Sequence, residues 1–182
     1  MFSLGQNSLV GLVVALLLAL TTSVTAQTET APSDVAAAKI KRGPVTNLPL
    51  PRYVSLKASK ANVRRGPSRT HRIDWVFTRK SMPLQITAEY GHWRRVRDID
   101  GAGGWVHYSL LSGVRTVIIQ TDMLPLAVRP TEATSTTAHL ELGVIAKLEE
   151  CTLDWCRLNA GGYKGWVQKT SLWGVSAEEI RD

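Results

Sequence analysis

One ten-residue pattern occurs twice in this chain and constrains the fold more than any other feature. Residues 104–113 read GWVHYSLLSG and residues 165–174 read GWVQKTSLWG. Gly104/Gly165, Trp105/Trp166, Val106/Val167, Leu111/Leu172 and Gly113/Gly174 coincide without a gap. Trp93 lies 12 residues before Trp105, and Trp155 lies 11 before Trp166. Each is followed at +3 by an apolar residue, Val96 or Leu158. Further upstream, Val63-Arg64 reads as the counterpart of Val128-Arg129, each followed by a proline and small polar residues. Three anchors in one order at similar spacing define an internal repeat.

Each copy reads as a set of short strands. Leu84, Ile86, Ala88 and Tyr90 alternate with Gln85, Thr87 and Glu89, the period-two signature of a half-buried strand. Leu142 to Leu148 is the corresponding run of the second copy. Gly101-Ala102-Gly103-Gly104 and Asn159-Ala160-Gly161-Gly162 are turn signals. No long i, i+3, i+4 apolar stripe follows residue 52, so the expected class is all-β, with two small barrels in tandem. Units this short bury little surface alone, so the copies are expected to pack together. The connection from Val114 to about Thr121 contains Val117-Ile118-Ile119 and reads as a strand.

These residues carry a resemblance. Asn62-Val63-Arg64-Arg65-Gly66-Pro67-Ser68, Trp93-Arg94-Arg95-Val96, Gly104-Trp105-Val106 and Leu111 resemble the bacterial SH3-like (SH3b) domain family. The second copy matches through Leu126-Ala127-Val128-Arg129-Pro130, Trp155-Cys156-Arg157-Leu158 and Gly165-Trp166-Val167, with no counterpart found for Gly66. The resemblance spans about 57–175 and implies two SH3-like β-barrels. It also implies an extracytoplasmic setting and a role in binding cell-wall material or peptides, as in modules that stand beside hydrolases.

The start of the chain reads as an export signal. Leu9–Leu20 is almost wholly apolar and is followed by Val24-Thr25-Ala26, a small-residue cleavage pattern placing the cut after Ala26. Twelve helical residues rise only about 18 Å against roughly 30 Å of hydrocarbon, so a cleaved leader is favoured over an uncleaved anchor. No Lys or Arg precedes Lys39, which departs from the usual leader. The expected order is a signal peptide at 1–26, a flexible Pro-rich linker at 27–52, domains at 53–114 and 115–176, and a tail at 177–182. The expected location is secreted, in the periplasm, with no stable membrane anchor.

Charge separates the copies. Residues 57–113 carry a net +7, whereas residues 121–174 carry −1. A clustered positive field draws polyanions, and arginine favours bidentate carboxylate or phosphate contacts. The candidate ligand-binding residues are Arg64, Arg65, Arg94 and Arg95, with Trp75, Tyr90 and Trp105 as stacking groups. Val106 is expected inside its barrel, which puts Trp105 on the other face. Trp93 and Trp155, at strand starts, are expected in the core. Trp75 is expected in an irregular segment between Ser68 and Arg79.

Cys151 and Cys156 are the only cysteines. In an exported chain a close pair reads first as a disulfide, here across a strand–turn–strand. His71, His92, His107 and His139 lack ligand spacing, so neither a metal nor another cofactor is expected. No recognisable set of catalytic groups recurs. The chain therefore reads as a non-enzymatic exported binding module of the cell envelope, recognising an anionic wall component such as peptidoglycan, or a peptide. The alternative is an adaptor or activator for another exported protein. A divergent Cys hydrolase is the weaker alternative, and nucleic acid is an unsuitable partner in that compartment.

Overall fold

A computed structural model describes residues 40–182, so the leader at 1–26 and the linker through residue 39 lie outside the described residues. Strands β1 (Arg52–Leu56), β2 (Ala61–Arg64), β3 (Ile73–Phe77), β4 (Pro83–Tyr90), β5 (Trp93–Arg97), β6 (Gly103–His107) and β7 (Leu111–Ser112) build barrel 1. Strands β8 (Thr116–Ile119), β9 (Leu124–Ala127), β10 (Thr136–Leu140), β11 (Ile145–Cys151), β12 (Trp155–Ala160), β13 (Tyr163–Gln168) and β14 (Leu172–Trp173) build barrel 2. The strand orders are the same, β3-β2-β6-β5-β4-β1-β7 and β10-β9-β13-β12-β11-β8-β14. The class is all-β, with two tandem barrels, as the repeat requires. The apolar connection Val117-Ile118-Ile119 is the first strand of barrel 2.

The cores superimpose in register. Leu56, Val63, Ile86, Val96 and Val106 fill barrel 1, and Ile119, Leu126, Leu148, Leu158 and Val167 occupy the matching positions of barrel 2. Burying a side chain of this size stabilises by roughly 1.5–3 kcal/mol, so five such residues make a small core. Contacts between the barrels supplement it. Thr116 Oγ1 donates to Ser81 O at 2.7 Å, Arg79 donates to Gly143 O at 2.9 Å, and Tyr53 meets Trp173 edge-on at 5.4 Å.

The upstream anchor of the repeat falls elsewhere than its letters indicate. Arg64 pairs with Trp105 and Ala127 pairs with Trp166, so Val63-Arg64 corresponds to Leu126-Ala127, two residues before Val128-Arg129. Shared letters suggested the wrong frame, whereas burial decides it: Val63 and Leu126 are fully buried and Val128 is exposed. In this frame Pro67 matches Pro130, and Gly66 matches Arg129. The repeated glycine before each Trp has a steric cause, since a Cβ at Gly104 or Gly165 would collide with Arg64 O or Ala127 O.

Two bulges reset the alternation. In β4 the pairing with β5 shifts between Ile86 and Ala88, and in β11 the pairing with β12 shifts between Leu148 and Glu150. A bulge inserts one residue and exchanges the faces beyond it. Glu89 therefore turns inward and Tyr90 outward, against simple alternation. The bulges also place Glu89↔Arg94 in barrel 1 and Cys151↔Cys156 in barrel 2 at the same cross-strand position. Cys151 and Cys156 form the expected disulfide.

Each of these inward pairs anchors a terminal segment. Residues 41–50, expected as part of the mobile linker, close on themselves through Gly43 N to Leu48 O, Asn47 N to Gly43 O and Leu50 N to Lys41 O, and lie on barrel 1 with Leu50 buried in its core. Their fastening is Glu89, which accepts from Val45 N, Thr46 N, Thr46 Oγ1 and Arg52 Nη2 at 2.6–3.1 Å. In barrel 2 the tail is held by a two-way backbone bridge between Cys151 and Arg181. Buried Lys169 Nζ adds bonds to Leu153 O, Ala177 O and Glu179 O.

Candidate ligand-binding site

Register across barrel 1 lines up Ile73, Arg64, Trp105, Arg95 and Ala88 on four adjoining strand pairs. Val106 is fully buried, so its neighbour Trp105 turns to the outer face and is half-buried there between Arg64 and Arg95. Arg95 is exposed and no carboxylate is paired with it among the described residues. A groove of about 570 Å³ runs along this face, lined by Arg65, Asp74, Thr87, Arg95, Arg97 and Trp105 among others. Gly101, Gly103 and Gly104 keep one wall low.

The cations of this groove differ in freedom. Asp74 bridges Arg65 at 3.2 Å and Arg72 at 2.9 Å. The Arg72 hydrogen bond, seconded by Arg65, outweighs desolvation and holds the Asp74 carboxyl below its usual range. Arg97 Nε donates to Gln85 Oε1 at 2.7 Å. Arg64 Nη1 donates to His71 O at 2.7 Å, which steadies its guanidinium without neutralising it.

Three candidate residues lie apart from this row. Arg94 is buried, with its guanidinium on Gly91 O and Trp93 O at 2.8 Å and 3.6 Å from Glu89. It sits two residues from buried Val96 and shares its face, so it serves the barrel rather than a ligand. Trp75 is 52% exposed but sits on edge strand β3 rather than in an irregular loop. Tyr90 is 65% exposed at the β4–β5 turn. Trp93 and Trp155 are half-buried rather than core, because a spacing of three from Val96 or Leu158 reverses the face of a strand residue. The reading of the sequence passed over Thr87, Arg97, Lys60 and Arg69 as site residues. The charge count contained the three cations, and only the topology gathers them.

The same row in barrel 2 has a different chemistry. Trp166 pairs with Arg157 and with Ala127, so one of the two flanking arginines is missing. Arg157 lies 3.9 Å from Glu149 and 4.0 Å from Glu150, which occupy the positions of Thr87 and Ala88. Lys164 completes the cluster at 3.2 Å from Glu149 and is the leading cause that lowers its carboxyl.

The bacterial SH3 domain family matches residues 57–113 and again residues 120–174. The chain belongs to that family. Both bacterial SH3 domains thus coincide with the two barrels and their repeated Gly-Trp-Val. Comparison with curated proteins returns no match. Among solved structures, the chain is similar to NlpC2 from Trichomonas vaginalis, at 14% identity and a TM-score of 0.30, over 68% of this chain and 48% of that one. It is also similar to an NlpC/P60 family protein from Bacillus cereus, at 11% identity and a TM-score of 0.31, over 66% and 55%. The chain thus spans about half the length of these structures. Among the described residues no helix is long and apolar enough to cross a membrane.

Proposed function

We propose that this protein is a non-enzymatic, exported binding module of the cell envelope, and that its first SH3 domain takes an anionic cell-wall component or peptide. The ligand lies along Arg64, Trp105 and Arg95, with Arg65 at its edge and Trp75 and Tyr90 available as outlying stacking groups. Arg94 is withdrawn from the set because Glu89 holds it inside. One observation carries the reading. Among the described residues no carboxylate pairs with the Arg64–Trp105–Arg95 row, whereas the matching row of barrel 2 is reduced to one arginine beside Glu149 and Glu150. Arginine beside an exposed aromatic face suits a carboxylate or phosphate carried on a flat or apolar body.

Co-sedimentation of the exported chain with isolated peptidoglycan sacculi tests this. Retention that persists at moderate salt and is lost in Arg64→Gln/Arg95→Gln is the expected result. Retention confined to low salt would reduce the effect to general charge attraction.

The adaptor reading draws on a separate observation, the exposed Ile73, Trp75 and Val76 on edge strand β3, since exposed apolar patches and open strand edges mark partner surfaces. Trp173 adds nothing to that surface, because it packs edge-on against Tyr53 between the barrels. A Cys hydrolase finds no nucleophile in the oxidised protein, because both cysteines are joined.

A further inference from the structure

A second groove of barrel 1, of about 450 Å³, is lined by Lys60, Arg64, Arg69, Trp93, His107 and Ser109. Among the described residues no carboxylate lines it. Lys60 and Arg69 are exposed and make no ion pair among the described residues. Trp93 and His107 meet edge-on at 5.6 Å, and His92 and Tyr108 lie beside His107 at 5.9 and 5.0 Å. His107 Nδ1 lies 2.7 Å from Ser109 Oγ and 3.4 Å from Ser109 N, which fixes the ring against the start of the following turn. Desolvation, then the charges of His92, Arg69 and Arg94, hold the His107 pKa below its ordinary value. Arg94 is itself paired with Glu89.

Barrel 2 has the same groove with its charge reversed. The loops Arg65–Arg72 and Val128–Ser135 have equal length and close on the same backbone bond, which places Glu132 where barrel 1 has Arg69. Trp155 stands for Trp93, Gln168 for His107 and Ala127 for Arg64. The matching cleft is lined by Pro125, Ala127, Glu132, Trp155 and Gln168, and Glu132 is its one charged side chain among the described residues. One architecture, with an aromatic floor under a loop, therefore presents opposite charge in the two barrels.

We propose that the Trp93 groove of barrel 1 is an oxyanion-binding site, taking a carboxylate or phosphate group between Lys60, Arg64 and Arg69 while the body of the ligand rests on Trp93. Three cations converging without a counter-charge favour an anion there, and Arg64 and Arg69 supply the forked donors such a group accepts. The site is separate from the Arg95–Trp105 groove: no residue lines both, and Arg64 lines only the Trp93 groove.

The test is a histidine NMR titration of the exported chain against inorganic phosphate, and separately succinate, at constant ionic strength. An anion seated beside Arg69 offsets the positive field on His107. Its titration midpoint should then rise by about half a pH unit or more with at least one of the two anions. His139, in barrel 2, should not move. A response to phosphate alone assigns a phosphate ligand, and a response to both includes carboxylates. Arg69→Gln should remove the response, and Arg69→Lys should restore part of it. A midpoint unmoved by either anion, an equal shift at His139, or a full response in Arg69→Gln would overturn the proposal. Sacculus retention that depends on Arg95 would stand or fall independently of that result.

Discussion

Glu89–Arg94 in barrel 1 and Cys151–Cys156 in barrel 2 occupy one position of one fold with unrelated chemistry. Both pairs face inward just past a bulge, and both anchor a terminal segment. Both copies carry a cross-strand link at this point, ionic in one and covalent in the other. The covalent link acts largely by restricting the unfolded chain. The ionic link acts in the folded state, through buried hydrogen bonds that also fasten residues 43–49, and so answers to pH. Outside the barrels the same divergence continues, with the cations of barrel 1 left open and the remaining arginine of barrel 2 matched by acids.

The most damaging way to break this comparison is Glu89→Ala. It leaves Arg94 and Arg52 without their carboxylate and the folded-back segment without its acceptor. Removing one partner of a buried pair costs about 3–5 kcal/mol, which urea denaturation of the protein would register. Glu89→Cys with Arg94→Cys should recover much of that loss by forming a disulfide in the register of Cys151–Cys156. Two reactive thiols in the oxidised double variant would show that the positions are not equivalent.

A pH series gives the next largest effect. Burial pushes the Glu89 carboxyl up, but the Thr46 side chain and backbone, Arg52 and Val45 outweigh it and hold the pKa at about 2. The folded value lies below the unfolded one, so the ionised form stabilises. That contribution, roughly 3 kcal/mol, is complete above about pH 4.5 and is lost as pH falls toward 2. Glu89→Gln should lose this part of the pH dependence and keep only the smaller part due to other carboxylates such as Asp74 and Glu149. Cys151→Ala with Cys156→Ala should cost about 2 kcal/mol, with no such pH dependence. The smallest effect on stability belongs to Glu149→Gln with Glu150→Gln, since exposed ion pairs contribute about 0–1 kcal/mol. This variant should nonetheless free Arg157 and give barrel 2 a measurable, salt-sensitive retention on sacculi.

Much of the architecture was legible because the repeat reports it directly. Gly-Trp-Val demands a close backbone approach, an outward Trp and an inward Val, and the two copies obey alike. The disulfide was legible from the short spacing of the two cysteines and the compartment expected for the chain. What escaped was phase. A period of two cannot register an inserted residue, so Glu89 and Tyr90 changed faces at the β4 bulge. Arg94 was readable from its spacing of two to Val96, but its charge suggested the surface. The Val63-Arg64 match followed identical letters where burial set the true frame. The folded segment at 41–50 escaped because its acceptor, Glu89, lies some forty positions away. Of the candidate residues, Arg65, Arg95 and Trp105 meet in one groove; Arg64 adjoins it, and Trp75 and Tyr90 do not line it.

The proposed division of labour, with the anion-binding row in barrel 1 and not in barrel 2, is read out by the six tryptophan indole N–H groups in a nitrogen–proton NMR titration of the protein with soluble peptidoglycan fragments. The account predicts that the Trp105 resonance shifts with added fragment and that Trp166 stays still. A Trp166 shift equal to or larger than that of Trp105 would contradict it.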